Sequence, residues 1–116
     1  MNDLLLYGAG TLGILISIVH GYLGLEKVVG PAQTPTQRGK RVLQAVMLIS
    51  AVYWFAAGIL LLFTPSAFFG ADRMLVVYAV AFVYVIGSLG NLWATRGRHF
   101  GWALLAIAGA LAVAGA

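Results

Sequence analysis

The chain has 116 residues, of which 62% are hydrophobic and only 9% are charged, and its mean hydropathy is +0.98. This composition excludes an ordinary water-soluble domain, in which about half of the residues are apolar and about a quarter are charged. The lack of cysteine excludes disulfides, thiolate chemistry and cysteine-bound metal centres, and the length leaves room for one domain.

Four segments without charged residues follow one another along the chain. At 1.5 Å per residue, each can cross or nearly cross a hydrocarbon core of about 30 Å. The second is bounded at Thr64-Pro65, because proline disfavours helix at the residue before it. We therefore predict an all-α, integral membrane protein: an antiparallel bundle of four transmembrane helices in a single domain over 1–116. The predicted helices cover about 4–25, 42–64, 73–95 and 99–115.

Helix 1 carries a row of small residues at a spacing of four. In lipid, helices associate through close packing of small residues and through interhelical hydrogen bonds. His20 lies beside this row and is expected to face the interior of the bundle. The residues predicted to pack helices together are Ala9, Gly13, Ser17 and Gly21, with Gly87 on helix 3.

The connection at 26–41 is the only long polar segment, and Gly30-Pro31 and Thr34-Pro35 should keep its middle from being helical. Either Thr34 or Thr36 is expected to cap helix 2. The next connection, which ends in Arg73, is short and apolar.

The basic residues collect on one side of this topology. The first and third connections hold six of the seven lysines and arginines, whereas Arg73 lies on the opposite side, with Asp3 and Asp72. Positive charge marks the cytoplasmic side, so we predict cytoplasmic basic loops and both termini outside, in the periplasm or the exterior. The residues predicted to contact lipid headgroups are Lys27, Arg38, Lys40, Arg41, Arg96 and Arg98. They are split between two short loops without interleaved aromatic residues, so no nucleic-acid partner is predicted.

Antiparallel threading brings a set of polar side chains to one depth in the cytoplasmic leaflet. This predicted polar layer consists of His20, Gln44, Asn91 and His99, with Glu26 at its edge. One interpretation is structural, with the side chains satisfying one another by hydrogen bonds. A second is a ligand site, in which His20 and His99 bind a metal or a haem. A third is transport of a small solute or ion by an oligomer, although no acidic residue lies within a span.

Catalysis is not predicted, because Ser17, Ser50 and Ser88 have no evident His-Asp partners. We predict a non-catalytic accessory or interaction protein without a resident cofactor. Its predicted partners are the lipid bilayer and either further copies of itself or a larger membrane protein. Ligand binding through the polar layer and transport remain the alternatives.

Several short motifs resemble those of a group of small bacterial inner-membrane proteins with four helices and no assigned activity. They are "VHGYLGLEK" at 19–27, "YWFAAGILLL" at 53–62 and "RGRHFGW" at 96–102, followed by "ALLAIAGALAVAG". The resemblance implies the four-helix architecture and a bacterial inner-membrane location. It implies no substrate or site residues.

Overall fold

A computed structural model describes residues 1–116 and consists of four helices without strands. Helix α1 is Asp3–Leu23 and continues as a π-helix over Gly24–Val29; α2 is Gln37–Ala67, α3 is Gly70–Thr95 and α4 is Gly101–Gly115. Three of these, counting α1 with its continuation, are long and apolar enough to cross a membrane, whereas α4 has 15 residues. The all-helical prediction is confirmed.

Helix α1 begins at an Asn2 cap, whose side chain accepts a hydrogen bond from the Leu4 N–H at 3.1 Å. The predicted helix ends near residue 25, whereas the chain stays helical to Val29, because it widens into a π-helix over Gly24–Val29. Gly30 N–H donates to the Leu25 carbonyl at 2.9 Å, the five-residue spacing of that helix type. Gly24, where the π-helix begins, lies against the end of the Met47 side chain, with no room for a Cβ.

Helix α2 begins at Thr36, whose hydroxyl accepts a hydrogen bond from Gly39 N–H at 3.0 Å. The helix passes through Pro65 and ends at Ala67, beyond the predicted stop. Proline removes one backbone donor, so the Leu61 carbonyl lacks its usual helical partner. The flanking hydroxyls of Thr64 and Ser66 bond to the neighbouring carbonyls of Leu60 and Phe63.

The helices pack as antiparallel neighbours, with α1 in close contact with both α2 and α4, and α4 in close contact with α3. Helices α2 and α3 touch less extensively. Backbones approach most closely at Gly10 and Gly58, where a Cβ on either residue would lie 2.7 Å from the other's carbonyl oxygen. The centre of the bundle is filled by fully buried side chains: Leu6, Leu61, Val77, Tyr84 and Leu105.

The bundle has two chemically different ends. One, the loop end, carries the connections at 30–36 and 96–100; the other, the termini end, carries both termini. At the termini end Arg73 is only 4% exposed and donates to the Asp3 carboxylate at 2.8 Å and the Gly115 carbonyl at 3.1 Å. Asn2 N–H donates to the same carbonyl at 3.3 Å. Arg73 thus ties α3 to the start of α1 and the end of α4.

Candidate functional site

A cavity of about 360 Å³ lies mainly between α1 and α4, toward the loop end. Trp54 of α2 and Asn91 of α3 complete its wall. Its volume falls in the lower part of the range for small-molecule sites, about 300–1,000 Å³. The lining is apolar except for His20, Asn91 and His99, so three residues of the predicted polar layer share one cavity.

His20 is held by a serine on the neighbouring helix. Its Nε2 lies 3.0 Å from Ser50 Oγ, and the same hydroxyl lies 2.9 Å from the Met47 carbonyl on its own helix. The contact with Ser50 occupies Nε2 and leaves Nδ1 without a partner in the protein. The ring also packs on Trp54, with centroids 4.3 Å apart.

His99 follows a tight turn after α3. Arg96 and Gly97 both have positive φ, at 51° and 72°, and Gly97 N–H donates to the Leu92 carbonyl at 3.0 Å, which closes the helix end. His99 Nδ1 then accepts a hydrogen bond from the Gly101 N–H at 3.1 Å, at the start of α4. In the neutral ring the proton is on Nε2, which is a donor without a partner in the protein.

Asn91 completes the polar part of the cavity from α3. Its Nδ2 donates to the Gly87 carbonyl at 2.8 Å, one turn earlier on the same helix. The Oδ1 of the amide remains an acceptor with no protein partner. Gly87 itself is pressed against Trp54, since a Cβ there would lie 2.7 Å from the indole ring.

Two residues of the predicted polar layer do not line this cavity. Gln44 is exposed and does not line the cavity. It lies one turn before Met47, the side chain that occupies the space beside Gly24. Glu26 is exposed on the π-helix, six residues beyond His20, and the widened helix directs it outward.

The predicted headgroup-contacting residues surround the loop end. All but one are exposed; Lys40 is half-buried and its Nζ donates to the Gly30 carbonyl at 3.3 Å. None forms an ion pair, because the one salt bridge joins Arg73 and Asp3. The exposed residues are Lys27, Arg38, Arg41, Arg96 and Arg98.

The small-residue row of helix 1 is used within the chain. Its four members are buried, with Gly21 packed against Ala51 and Gly13 beneath the Tyr84 hydroxyl. Gly87 contacts Trp54, as described above. Self-association therefore remains a prediction, but it would have to use a different face.

The site contains a His-Ser pair that the sequence did not predict. No carboxylate pairs with the His20 ring, so the third member of a Ser-His-Asp arrangement is missing. Ser50 and Trp54 come from α2. The one available signal in the sequence is helical spacing, since Ser50 lies three residues after Met47 and Trp54 lies four residues after Ser50.

A metal or haem is poorly matched by these groups. No three His, Cys, Asp or Glu side chains come together. The lone pair of His99 Nδ1 is already occupied by the Gly101 N–H. A bound metal would require His99 to give up that hydrogen bond.

Comparisons with family models, with curated proteins and with solved structures gave no match.

Proposed function

We propose that the protein crosses the bacterial inner membrane four times, with the loop end in the cytoplasm and both termini outside. The charge distribution supports this orientation, because the loop end carries six basic residues and only one acidic residue, Glu26. At the termini end the one arginine is paired with Asp3, which leaves Asp72 unpaired.

The short α4 is compatible with a fourth span. Its 15 residues give a length of about 22 Å, less than a hydrocarbon core of about 30 Å. Its C-terminal end meets the start of α1 through the bond between Asn2 and Gly115, and its N-terminal end lies level with His20. A thinner local bilayer, or arginines such as Arg98 reaching to the headgroups, accommodates such a mismatch.

We further propose that the protein is a non-catalytic binding protein for a small amphipathic molecule. The observation that carries this proposal is the cavity: aliphatic and aromatic side chains form most of its wall, and hydrogen-bonding groups without protein partners stand at its loop end. Ligand sites combine these features, an apolar lining with a few polar groups that fix orientation. An apolar cavity of about 150 Å³ already holds benzene, and this one is more than twice as large.

Access from the lipid supports the same proposal. Part of the cavity wall consists of side chains at the surface of the bundle, since Leu15 is 56% exposed and Phe100 is 72% exposed. A lipid-soluble molecule could enter between α1 and α4 without crossing a polar surface. No such route is needed for a structural cluster of hydrogen bonds.

The test is to fill the cavity. Leu104→Trp places a large ring into it, and Ile107→Trp makes a similar change on the exposed face of the same helix. Protein purified in lipid nanodiscs is extracted with solvent and its small molecules are quantified by mass spectrometry. We expect a molecule that is enriched over bulk lipid in the native protein and in Ile107→Trp, and depleted in Leu104→Trp. Equal content in all three proteins would contradict the proposal.

A second candidate function is that of an accessory protein that binds another protein or a second copy of itself. An apolar groove that the chain itself does not fill favours it. It lies between α2 and α3, where these helices touch least, and has a volume of about 740 Å³. Phe82 on its wall is 65% exposed. If two copies pair here, a cysteine at Phe82 should form a disulfide-linked dimer on mild oxidation, while one at Leu75, 70% exposed outside the groove, should not.

A further inference from the structure

The cavity is lined by both hydrogen-bond donors and hydrogen-bond acceptors that have no partner in the protein. Asn91 presents an acceptor at Oδ1 and the second N–H of its amide, and the exposed His99 presents a donor at Nε2. His20 has its Nδ1 free of protein partners. An occupant of the polar end must therefore donate to an acceptor and accept from a donor.

We infer that the cavity takes a long-chain alcohol: one apolar chain that ends in a neutral hydroxyl group. This inference rests on the proposed binding function and names its ligand class. A hydroxyl has one O–H donor and two lone pairs, so it can donate to Asn91 Oδ1 while it accepts from His99 Nε2. A ketone or quinone carbonyl has acceptors only and would leave the Asn91 oxygen unpaired.

Charged headgroups are disfavoured by the lining. No Lys, Arg, Asp or Glu contributes to the cavity wall. A carboxylate, a phosphate or an ammonium group placed there would lose its hydration without a counter-charge, which is far costlier than burying a hydroxyl that is hydrogen-bonded. The unpaired arginines lie on the exposed surface of the loop end, outside the cavity.

The shape of the cavity sets the direction of the chain. His20, Asn91 and His99 lie toward the loop end, while Leu12 lies eight residues before His20, about 12 Å deeper along α1. Leu105 of α4 is fully buried at the deep part of the same wall. The hydroxyl would thus sit near the headgroup region and the chain would point toward the bilayer centre, the orientation that the alcohol also has in lipid.

The experiment uses a decanol analogue that carries a diazirine on its chain, with native protein in lipid nanodiscs. Photolabelled peptides are mapped by mass spectrometry, and labelling is competed with decanol, decane, methyl octyl ketone, decanoic acid or decylamine. We expect labels on the α1 and α4 segments that line the cavity. Decanol should compete at a concentration about tenfold lower than decane or the ketone, as expected for one or two additional hydrogen bonds.

Matched variants distinguish recognition of the ligand's hydroxyl group from binding of its apolar chain in the cavity. Asn91→Leu removes a cavity acceptor, and Gln44→Leu makes a similar amide-to-leucine change at an exposed position outside the cavity. We expect Asn91→Leu to reduce the advantage of decanol over decane about fivefold, and His99→Phe to do the same by removing the donor. Gln44→Leu should keep the full advantage.

The outcomes distinguish the two proposals. If all competitors are equally effective at cavity peptides, or if decanoic acid or decylamine is the strongest, the alcohol inference is overturned while the cavity remains a binding site. If the cavity peptides are not labelled at all, the proposed binding function fails. Unchanged selectivity in both Asn91→Leu and His99→Phe would also overturn the inference.

Discussion

At the scale of single residues, the polar cluster depends on directed hydrogen bonds more than on proximity. His20 uses Nε2 to contact Ser50, which leaves Nδ1 as the free nitrogen of that ring. The Gly101 N–H bonds to Nδ1 of His99, which leaves Nε2 as the free nitrogen of the second ring. Two chemically identical side chains thus leave different ring nitrogens without a partner in the protein.

The serine that holds His20 should be measurable in stability. Ser50→Ala removes the hydrogen-bond partner of His20. It should lower the free energy of unfolding by about 1 kcal/mol, since interhelical hydrogen bonds in membrane bundles average about 0.6 and reach about 1.7 kcal/mol. Ser66→Ala is the matched control, because Ser66 lies on the same helix, bonds to the carbonyl three residues earlier and is exposed. Reversible unfolding in mixed micelles gives both values. Equal losses would show that the link to His20 contributes nothing.

Close packing gives a second prediction at this scale. A Cβ at Gly13 would overlap the hydroxyl of fully buried Tyr84, whereas a Cβ at Gly8 meets nothing within 4 Å. Gly13→Ala should therefore destabilise the fold by about 1–3 kcal/mol, the usual cost of overpacking. Gly8→Ala should be neutral or stabilising by up to about 1 kcal/mol, because alanine favours helix. The same micelle unfolding assay compares them, and a neutral Gly13→Ala would contradict the packing described here.

The sequence could predict how deep a polar side chain lies in the bundle, but not which other side chains it contacts. His20, Asn91 and His99 share a cavity because antiparallel helices bring residues near matching ends to one level, which counting residues can estimate. Gln44 has a similar depth and is nevertheless exposed, since position around the helix decides what a side chain meets. In a membrane helix nearly every face is apolar, so periodicity gives little information about that rotation.

At the scale of the helices, α2 begins at Gln37, before the predicted start near 42, and helix 1 continues to Val29, past the predicted end near 25. The cap at Thr36 is a local feature and one of the two residues expected. The π-helical extension of α1 coincides with a contact between helices, since the Met47 side chain lies beside Gly24. Burial of Arg73 was not predicted either, because sequence counts it only as a charge outside the spans.

Arg73 on α3 contacts both α1 and α4, and its loss and the loss of its partner Asp3 should have unequal effects on stability. Arg73 is buried, while the Asp3 side chain is 54% exposed. Removal of the carboxylate leaves a buried guanidinium with the Gly115 carbonyl and an unpaired Nε, whereas removal of the arginine leaves a carboxylate that water can reach. Asp3→Asn should therefore cost about 1–3 kcal/mol, the range for hydrogen bonds to charged groups, and Arg73→Met should cost less.

Asp72→Asn is the control for this prediction. Asp3 and Asp72 both lie in the first turn of a helix, so both changes remove a similar interaction with the helix dipole. Only Asp3 has an ion-pair partner. Thermal denaturation of the three variants in one detergent ranks them. A greater loss in Arg73→Met than in Asp3→Asn would show that packing of the arginine stem outweighs its charge.

At the scale of the whole molecule, the two ends of the bundle differ in charge and in the use they make of it. The basic residues of the loop end are mostly exposed and form no ion pairs, so they are free to meet lipid phosphates. Arg73, at the termini end, is turned inward and paired. The pairing sharpens the asymmetry on which the orientation depends, because it leaves no free basic side chain at that end.

The orientation can be tested directly because the chain contains no cysteine. Single cysteines are introduced at Thr34, in the first connection, and at Ala116, at the end of α4. In intact bacterial cells whose outer membrane is made permeable, a maleimide that cannot cross the inner membrane should label Ala116→Cys at once and Thr34→Cys only after lysis, because the positive loops stay in the cytoplasm. A cysteine at Leu61, fully buried in the bundle, gives the background in both conditions. Labelling of Thr34→Cys in intact cells with protection of Ala116→Cys would reverse the proposed orientation. It would leave the fold intact, and it would place the mouth of the cavity in the outer leaflet.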